Sequence, residues 1–237
     1  PAEAETGSDA VRLRAACTAA LERAGLGELK SDRGLAGVLI GDGPEQWPTM
    51  RDSFAALMHA VQAIECGQAQ RMLVCGVLRL PPDAGHPDSP CAGGAVAVLL
   101  EAQSCLAARL PMRSWLTLVD HAEARACEDG GARVLGLLER HADKPLYVSV
   151  ESSLRPALAV MANLHPLRVV DLGADVPPDA GCQCLLQLVA LFERHACGCA
   201  PQEPGAVFAG DGSAAGGPTG IFVVAPAGDA PVSPWVN

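Results

Sequence analysis

Apolar residues follow two patterns along this chain, one with helical spacing and one of short unbroken runs. Residues 8–24 carry apolar side chains near every third or fourth position (Val11, Leu13, Ala16, Ala20 and Leu21), which predicts a helix capped by Ser8 or Asp9 and ending at Gly25. Residues 35–40 form an unbroken apolar run before a Gly-Asp-Gly-Pro turn, which is typical of a buried strand. The first forty residues are therefore predicted to contain both a helix and a strand.

The same patterns predict the remaining elements. In the first half they are helix 51–65, which Gly67 is expected to end, strand 71–78 and strand 93–101. In the second half they are strand 114–119, helix 130–141, strand 146–151, helix 155–163, strand 168–172, helix 180–195, strand 205–209 and strand 219–225. Helices 51–65 and 180–195 are apolar almost all round, so both need cover on two sides, which sheets above and below would provide.

A duplication emerges from this order. Each half contains one all-apolar helix, then a strand, then an Ala-Gly-Gly that opens another strand (residues 92–94 and 215–217). We therefore predict an α/β fold of two related halves, about 8–102 and 113–226, with two buried central helices between mixed sheets. The halves form one domain over 1–237, with an irregular Pro-rich tail at 227–237.

Composition narrows the classes of partner. A formal charge of −10 without a basic cluster argues against nucleic acid and anionic membranes as partners. We find no apolar run of membrane-spanning length and no secretion signal at the start of the chain. Ten cysteines without a regular framework indicate reduced thiols, so a cytoplasmic protein is expected.

Four segments, taken in order, resemble the thiolase and β-ketoacyl synthase superfamily. Residues 63–76 (AIECGQAQRMLVCG) are similar to the stretch in which the nucleophile helix ends and a strand runs to a glycine. Residues 91–102 (CAGGAVAVLLEA) resemble the following Gly-rich strand that ends in Leu-Glu. Residues 19–26 (AALERAGL) resemble a helix of the first half, and residues 211–220 (DGSAAGGPTG) the C-terminal Gly-rich turn.

The resemblance implies a thiolase-like fold whose first half is truncated. Residues 114–225 reproduce the family's full series of strands and helices, whereas 8–101 lack the opening strand. Only residues 42–49 separate strand 35–40 from the buried helix, so a helix and a strand are missing there. In the family that strand pairs two subunits and that region encloses the acyl substrate, so neither the usual dimer nor the acyl tunnel is expected.

The resemblance also locates the residues that would carry condensation. Family members need a cysteine thiolate at the start of the first buried helix, and two imidazoles, or an imidazole and an amide, to assist it. The matching positions hold Met50, Glu151 (or its neighbour Ser152) and Ala174. Because a thioether cannot ionise and both imidazoles are missing, we predict a protein that is not an enzyme and binds no cofactor.

Other candidate sites are weaker. The pairs Cys182/Cys184 and Cys197/Cys199 have zinc-like spacing, but 15 residues of helix would separate them by roughly 22 Å, too far for one site. No metal is therefore expected, and His59 is interpreted as a core residue. A weak polar site remains open at Ser53, Ser152 and Ser153, which lie at the expected mouth of the family's active site.

Three functional hypotheses follow. The first is a non-catalytic accessory or adaptor protein that binds a protein partner, either another ketosynthase-like subunit or a secreted effector. The family resemblance suggests bacterial clusters for polyketide-type biosynthesis or type VI secretion. The second is a module that binds an acyl-thioester or an acyl carrier protein, against which the acidic charge of this chain argues mildly. The third is a hydrolase with relocated chemistry at Ser53 or Ser152.

Overall fold

The fold is a mixture of helices and strands arranged as two compact units. The computed structural model describes residues 2–26, 39–41, 53–79, 93–107, 116–123, 136–141, 147–150, 168–169, 182–196, 205–209 and 220–226. The first unit comprises Pro1–Met112 with Asp179–Leu186, and the second comprises Arg113–Pro178 with Gln187–Asn237. None of the helices in these ranges is both long and apolar enough to cross a membrane.

Helices and strands are interspersed along the described parts of the chain. The helices are α1 (Ala2–Arg23), α2 (Ser53–Glu65), α3 (Gln103–Ala107) and α4 (Gln183–Ala196). The strands are β1 (Leu39–Gly41), β2 (Arg71–Arg79), β3 (Gly93–Glu101), β4 (Leu116–Glu123), β5 (Tyr147–Val150), β6 (Arg168–Val169), β7 (Gly205–Ala209) and β8 (Gly220–Pro226). Residues 136–140 are also helical.

The first unit is built on a three-stranded antiparallel sheet in the order β1-β2-β3. Successive side chains of a strand point to opposite faces. On one face Leu73 and Cys75 of β2 pack against Leu13 and Cys17 of α1. On the other face Met72 and Val74 are also fully buried, and α2 contacts β2 and β3. The central strand therefore has helical cover on both faces.

Two glycines end the helices of this unit in the way their positions in the sequence predict. Gly25 and Gly67 have φ angles of 66° and 69°, a left-handed conformation that glycine adopts without strain. After α2, the amide of Gln68 donates to the Ala63 carbonyl at 2.8 Å and that of Gly67 to the Ile64 carbonyl at 3.0 Å. The same pair of bonds closes α1, so both helices end in a Schellman motif.

The second unit contains a five-stranded mixed sheet in the order β4-β8-β7-β5-β6. Strand β5 runs parallel to β6 and β7, while β8 is antiparallel to β7 and β4. Strand β8, which lies between β4 and β7, is buried from Ile221 to Val224, and the register of β4 shifts between Leu118 and Asp120. A shift of this kind is a β-bulge, which bends the strand.

The α/β class predicted from the sequence is confirmed, and several elements match their predicted bounds. Strands β3 and β7 coincide with the predictions, and α2 and α4 differ from them by at most three residues at either end. The structure adds α3 and extends α1 back to Ala2, where Ala and Glu favour helix. The predicted helix 155–163 and the tail 227–237 lie outside the described residues, and the duplication into two halves stays a prediction.

Gly76 lies on the face of β2 opposite to that of Cys75, where Cys182 packs close to the backbone of the strand. A Cβ atom added at Gly76 would lie 2.8 Å from the Cβ of Cys182. Real Cβ atoms almost never lie this close to another heavy atom. By contrast, a Cβ at Gly94 in β3 would meet nothing within 4 Å. The two glycines therefore allow a controlled comparison, because an added methyl group has no room at Gly76 and has room at Gly94.

We expect Gly76→Ala to lower the free energy of unfolding by about 1–3 kcal/mol, because the backbone near Cys182 must move to admit the methyl group. Gly94→Ala should change it by less than about 0.5 kcal/mol or raise it slightly. Denaturant unfolding of both variants measures the difference, and equal midpoints would contradict the close approach.

Candidate functional site

The sequence predicts the candidate site at the starts of helices 51–65 and 180–195 and at the end of strand 146–151. Helix α2 begins at Ser53, whose side chain is buried, with Phe54 buried beside it. Met50 lies outside the described residues, as do Glu151, Ser152, Ser153 and Ala174. Of the predicted site residues, Ser53 alone is described, and its burial limits the access that a substrate would need.

Two thiols lie at the start of α4. Cys182 is 2% exposed and Cys184 is 3% exposed, and the amide of Leu186 donates to the Cys182 carbonyl at 3.1 Å to form the first turn. Burial raises the pKa of the Cys182 thiol to about 11, although a backbone hydrogen bond offsets part of this rise. The helix N-terminus alone would favour a thiolate, but desolvation is the larger effect here. Cys182 is therefore protonated at neutral pH.

A buried amide lies between these thiols. Gln183 is 7% exposed, and its Nε2 has no hydrogen-bond partner among the described residues. A buried donor without an acceptor costs about 1–3 kcal/mol relative to its hydrated state. The helix that the sequence predicts as almost wholly apolar thus begins with an unsatisfied polar group.

The last turn of α4 holds a second unsatisfied group, the imidazole of His195. Neither ring nitrogen of His195 has a hydrogen-bond partner in the described part of the chain. Burial lowers the pKa of this imidazole, since the charged form would lose its hydration. His195 is therefore a neutral side chain in the second unit, and it is not poised as an acid.

The structure assembles a polar cluster that the sequence does not reveal. The carboxylate of Asp120, at the bulge of β4, accepts from Arg140 Nε at 3.1 Å and lies 3.2 Å from Nε2 of His141. Its other oxygen accepts from the backbone amide of His121 at 2.9 Å. Twenty residues separate Asp120 from Arg140, so only the fold brings them together. The cluster joins the 136–141 segment to the sheet edge.

The remaining described cysteines are mainly core residues. Cys17 and Cys75 share one hydrophobic cluster, and their hydrogen bond, together with burial, raises the pKa of the Cys17 thiol. Within the described ranges no group of three or more His, Cys, Asp or Glu side chains is placed to hold a metal ion. Cys197 and Cys199 lie outside those ranges, so the argument against a zinc site stays a prediction.

Comparison with solved structures identifies the class of fold. The chain is similar to the oxazolomycin ketosynthase domain OzmH KS8 of Streptomyces albus JA3453, with a TM-score of 0.51, 17% identity, and coverage of 73% of this chain and 62% of that domain. It is also similar to a ketosynthase chain in the structure AntDE:AntF, described as a type II polyketide synthase acyl-carrier protein in complex with its ketosynthase bound to the hexaketide. This match has a TM-score of 0.50 and 11% identity, and it covers 73% of this chain and 56% of that one.

The chain therefore has a ketosynthase-like fold, as the resemblance of its sequence motifs implies. It spans about three fifths of the length of the ketosynthase chains it matches. No protein-family model matches the sequence, and no curated protein matches it either. At these levels of identity the similarity establishes the fold, and function has to be argued from the residues.

We expect Cys182 to resist alkylation, since its thiol is buried and protonated. In native protein at pH 7.5, iodoacetamide should label exposed Cys66 at least about tenfold faster than Cys182, as measured by peptide mass spectrometry. In denaturant the two rates should converge, which provides the control. Rapid labelling of Cys182 in the native protein would instead indicate an accessible thiolate at the start of α4.

Acidification should destabilise the protein through His195. Because the folded-state pKa is lowered, the unfolded state binds more protons, and stability is lost as the pH falls below the ordinary imidazole pKa of about 6.5. We expect His195→Leu to flatten the dependence of unfolding free energy on pH between 7 and 5. His141→Gln, at a partnered imidazole, serves as the comparison, and identical slopes for His195→Leu and wild type would contradict this assignment.

Proposed function

We propose that this chain is a non-catalytic ketosynthase-like protein that acts through contacts with a protein partner. The observation that carries the proposal is the combination of a ketosynthase-like fold with Met50, Glu151 and Ala174 at the positions where the resemblance requires a cysteine and its two supporting side chains. A methionine thioether has no proton to lose and cannot form the acyl-thioester through which condensation proceeds.

The chemistry of the described residues supports this proposal. A substitute nucleophile would need an accessible thiol or hydroxyl with a lowered pKa or an adjacent base. Cys182, the thiol placed at the start of a buried helix, has the opposite property, since burial raises its pKa to about 11. Ser53, at the start of the other buried helix, is buried as well.

The partner we propose is a second protein with a ketosynthase-like fold or a secreted effector in a bacterial cluster. Two features inferred from the sequence favour a pairing of this kind. The proposed duplication supplies two buried central helices, and the proposed shortening of the first half removes the strand through which the family pairs its subunits. The dimer contact common in the family would then be replaced by a different one.

A second candidate function is the binding of an acyl-thioester or an acyl carrier protein without turnover. One of the similar structures is a ketosynthase in complex with its acyl-carrier protein, which favours this candidate. The charge of −10 disfavours it, since carrier proteins are themselves acidic and like charges repel. A relocated hydrolase that uses Ser53 or Ser152 is a third candidate, and Ser153 belongs to the same proposed polar site.

The proposal predicts that purified protein releases no free thiol from acyl-coenzyme A or acyl-pantetheine substrates above the buffer rate. Thiol release can be followed with a chromogenic disulfide, after subtraction of the signal from the ten cysteines of the chain. Ser53→Ala, Ser152→Ala and Cys182→Ser should leave the baseline unchanged. Turnover that one of these variants abolishes would establish an enzyme and refute the proposal.

Two binding measurements separate the remaining candidates. Saturable binding of a non-hydrolysable acyl-thioester analogue, measured by calorimetry, would favour the binding module. Recovery of one stoichiometric protein partner from the native host would favour the adaptor.

A further inference from the structure

Two buried thiols meet where α1 covers the sheet of the first unit. Cys17 of α1 and Cys75 of β2 belong to one hydrophobic cluster with Leu13 and Leu73, and the two cysteines are 7% and 3% exposed. A hydrogen bond joins the two thiol groups. The sulfur atoms are therefore neighbours, although the two residues are far apart in the sequence.

The spacing of the cluster residues is similar on the two elements. Leu13 and Cys17 are four residues apart on α1, and Leu73 and Cys75 are two residues apart on β2. Four residues of helix rise about 6 Å, and two residues of strand rise about 7 Å. One turn of the helix thus spans one side-chain repeat of the strand, so the packing of the two elements holds the thiols together.

The residues packed against this cluster include several with small side chains. Ala20 lies on α1 three residues after Cys17, and Ala97 of β3 pairs with Cys75 in the register of the sheet. Ala95 of β3 packs against the same cluster. The distance at which a helix packs depends on the side chains at the contact, and small ones allow a close approach. A disulfide needs such an approach, since it joins Cα atoms about 4.4–6.8 Å apart.

Three other described cysteines have different surroundings. Cys66 is exposed, and Cys182 packs against Gly76 on the face of β2 opposite to that of Cys75. Cys105 is buried, and its thiol donates to Oε1 of Gln70 at 3.5 Å. Cys105 therefore provides a matched control, because it is a buried thiol of the same unit that is bonded to an amide oxygen.

The position of α1 gives an oxidant a route to the thiols. The helix buries the face that carries Leu13 and Cys17, while Arg14 and Thr18 beside them are exposed. In the closed structure Cys17 is protonated and unreactive, because its hydrogen bond and burial raise the pKa of its thiol. A helix that covers a sheet on one face can open locally without global unfolding. Opening of α1 would expose both thiols to solvent.

We propose that Cys17 and Cys75 are a redox-sensitive pair, which a small-molecule disulfide oxidises to an internal disulfide that ties α1 to β2. One cysteine, as thiolate, attacks a sulfur of the small disulfide, which gives a mixed disulfide and releases one small thiolate. The other cysteine, as thiolate, attacks the protein sulfur of the mixed disulfide and releases the second small thiolate. Two protein thiols are oxidised, one small disulfide is reduced, and the two protons pass to the released thiolates.

This inference goes beyond the proposed function, because it depends neither on turnover nor on a partner. The first test is direct and uses the wild-type chain with oxidised glutathione as the probe. Trypsin cleaves after arginine and releases residues 15–23 and 72–79, and each of these peptides contains a single cysteine. In oxidised native protein, mass spectrometry should find the two peptides joined, with the loss of two hydrogen atoms, and dithiothreitol should separate them.

The abundance of this link measures its specificity. The Cys17–Cys75 peptide should be at least about tenfold more abundant than any other disulfide of Cys17, because a disulfide forms readily only between cysteines whose Cα atoms are already close. The same oxidation in denaturant provides the control. There Cys17 should be distributed among several partners, since the contact between α1 and β2 is lost.

The second test measures stability in three proteins. Oxidation should shift the urea midpoint of the wild type upwards by at least about 0.5 M, because the disulfide closes a loop of roughly 60 residues in the unfolded chain. Cys105→Ala should keep this shift, and Cys17→Ala should lose it. Each variant is compared with its own reduced form, so the cost of the substitution itself cancels. Circular dichroism checks that the variants fold.

Three results would overturn the inference. The first is oxidised native protein in which the Cys17–Cys75 peptide is absent. The second is Cys17 joined mainly to glutathione or to another cysteine. The third is a midpoint shift that Cys17→Ala retains in full. Each of these leaves the proposed absence of turnover untouched.

Discussion

Burial of β2 on both faces is the constraint on which the first unit depends. Met72, Leu73 and Val74 are all 0% exposed, so neither face of the strand can be left without cover. Helix α1 provides this cover on one side through Leu13 and Cys17, and α2 contacts the strand as well. Gly76 then allows Cys182 to approach the backbone more closely than any side chain would permit. The start of α4 is positioned by this contact, within the first unit.

This constraint is compatible with our proposal that a ketosynthase-like fold persists here without the residues of condensation. The core consists of alternating strand residues and helix faces, and its stability comes from apolar area removed from water. On that proposal Met50, Glu151 and Ala174 take the places of the family's catalytic groups. Replacing a cysteine or histidine at such positions removes chemistry and leaves the core as it was. Fold and function are separable on these grounds.

The sequence predicts the elements well where local rules decide them. Periodicity and glycine position give β3, β7 and the ends of α1 and α2, because an apolar run and a left-handed glycine are properties of neighbouring residues. Pairing direction is not local, and nothing in residues 35–40 indicates that β1 runs antiparallel to β2. The Asp120 cluster depends on residues 20 and 21 positions away, and the protonation of Cys182 depends on burial by the fold. These features follow from tertiary structure, which one sequence does not display.

Helix α4 shows what the apolar pattern conceals. Leu185 and Leu191 of this helix are buried, at 0% and 2% exposed. Gln183 Nε2 and both nitrogens of His195 are also buried, and they have no hydrogen-bond partners among the residues that the structure describes. Each unsatisfied group costs about 1–3 kcal/mol, comparable to the gain from burying one leucine. A helix selected only for packing would carry apolar residues at both positions. Replacing Gln183 by Leu or Met should therefore be neutral or stabilising, unless a bound group satisfies the amide.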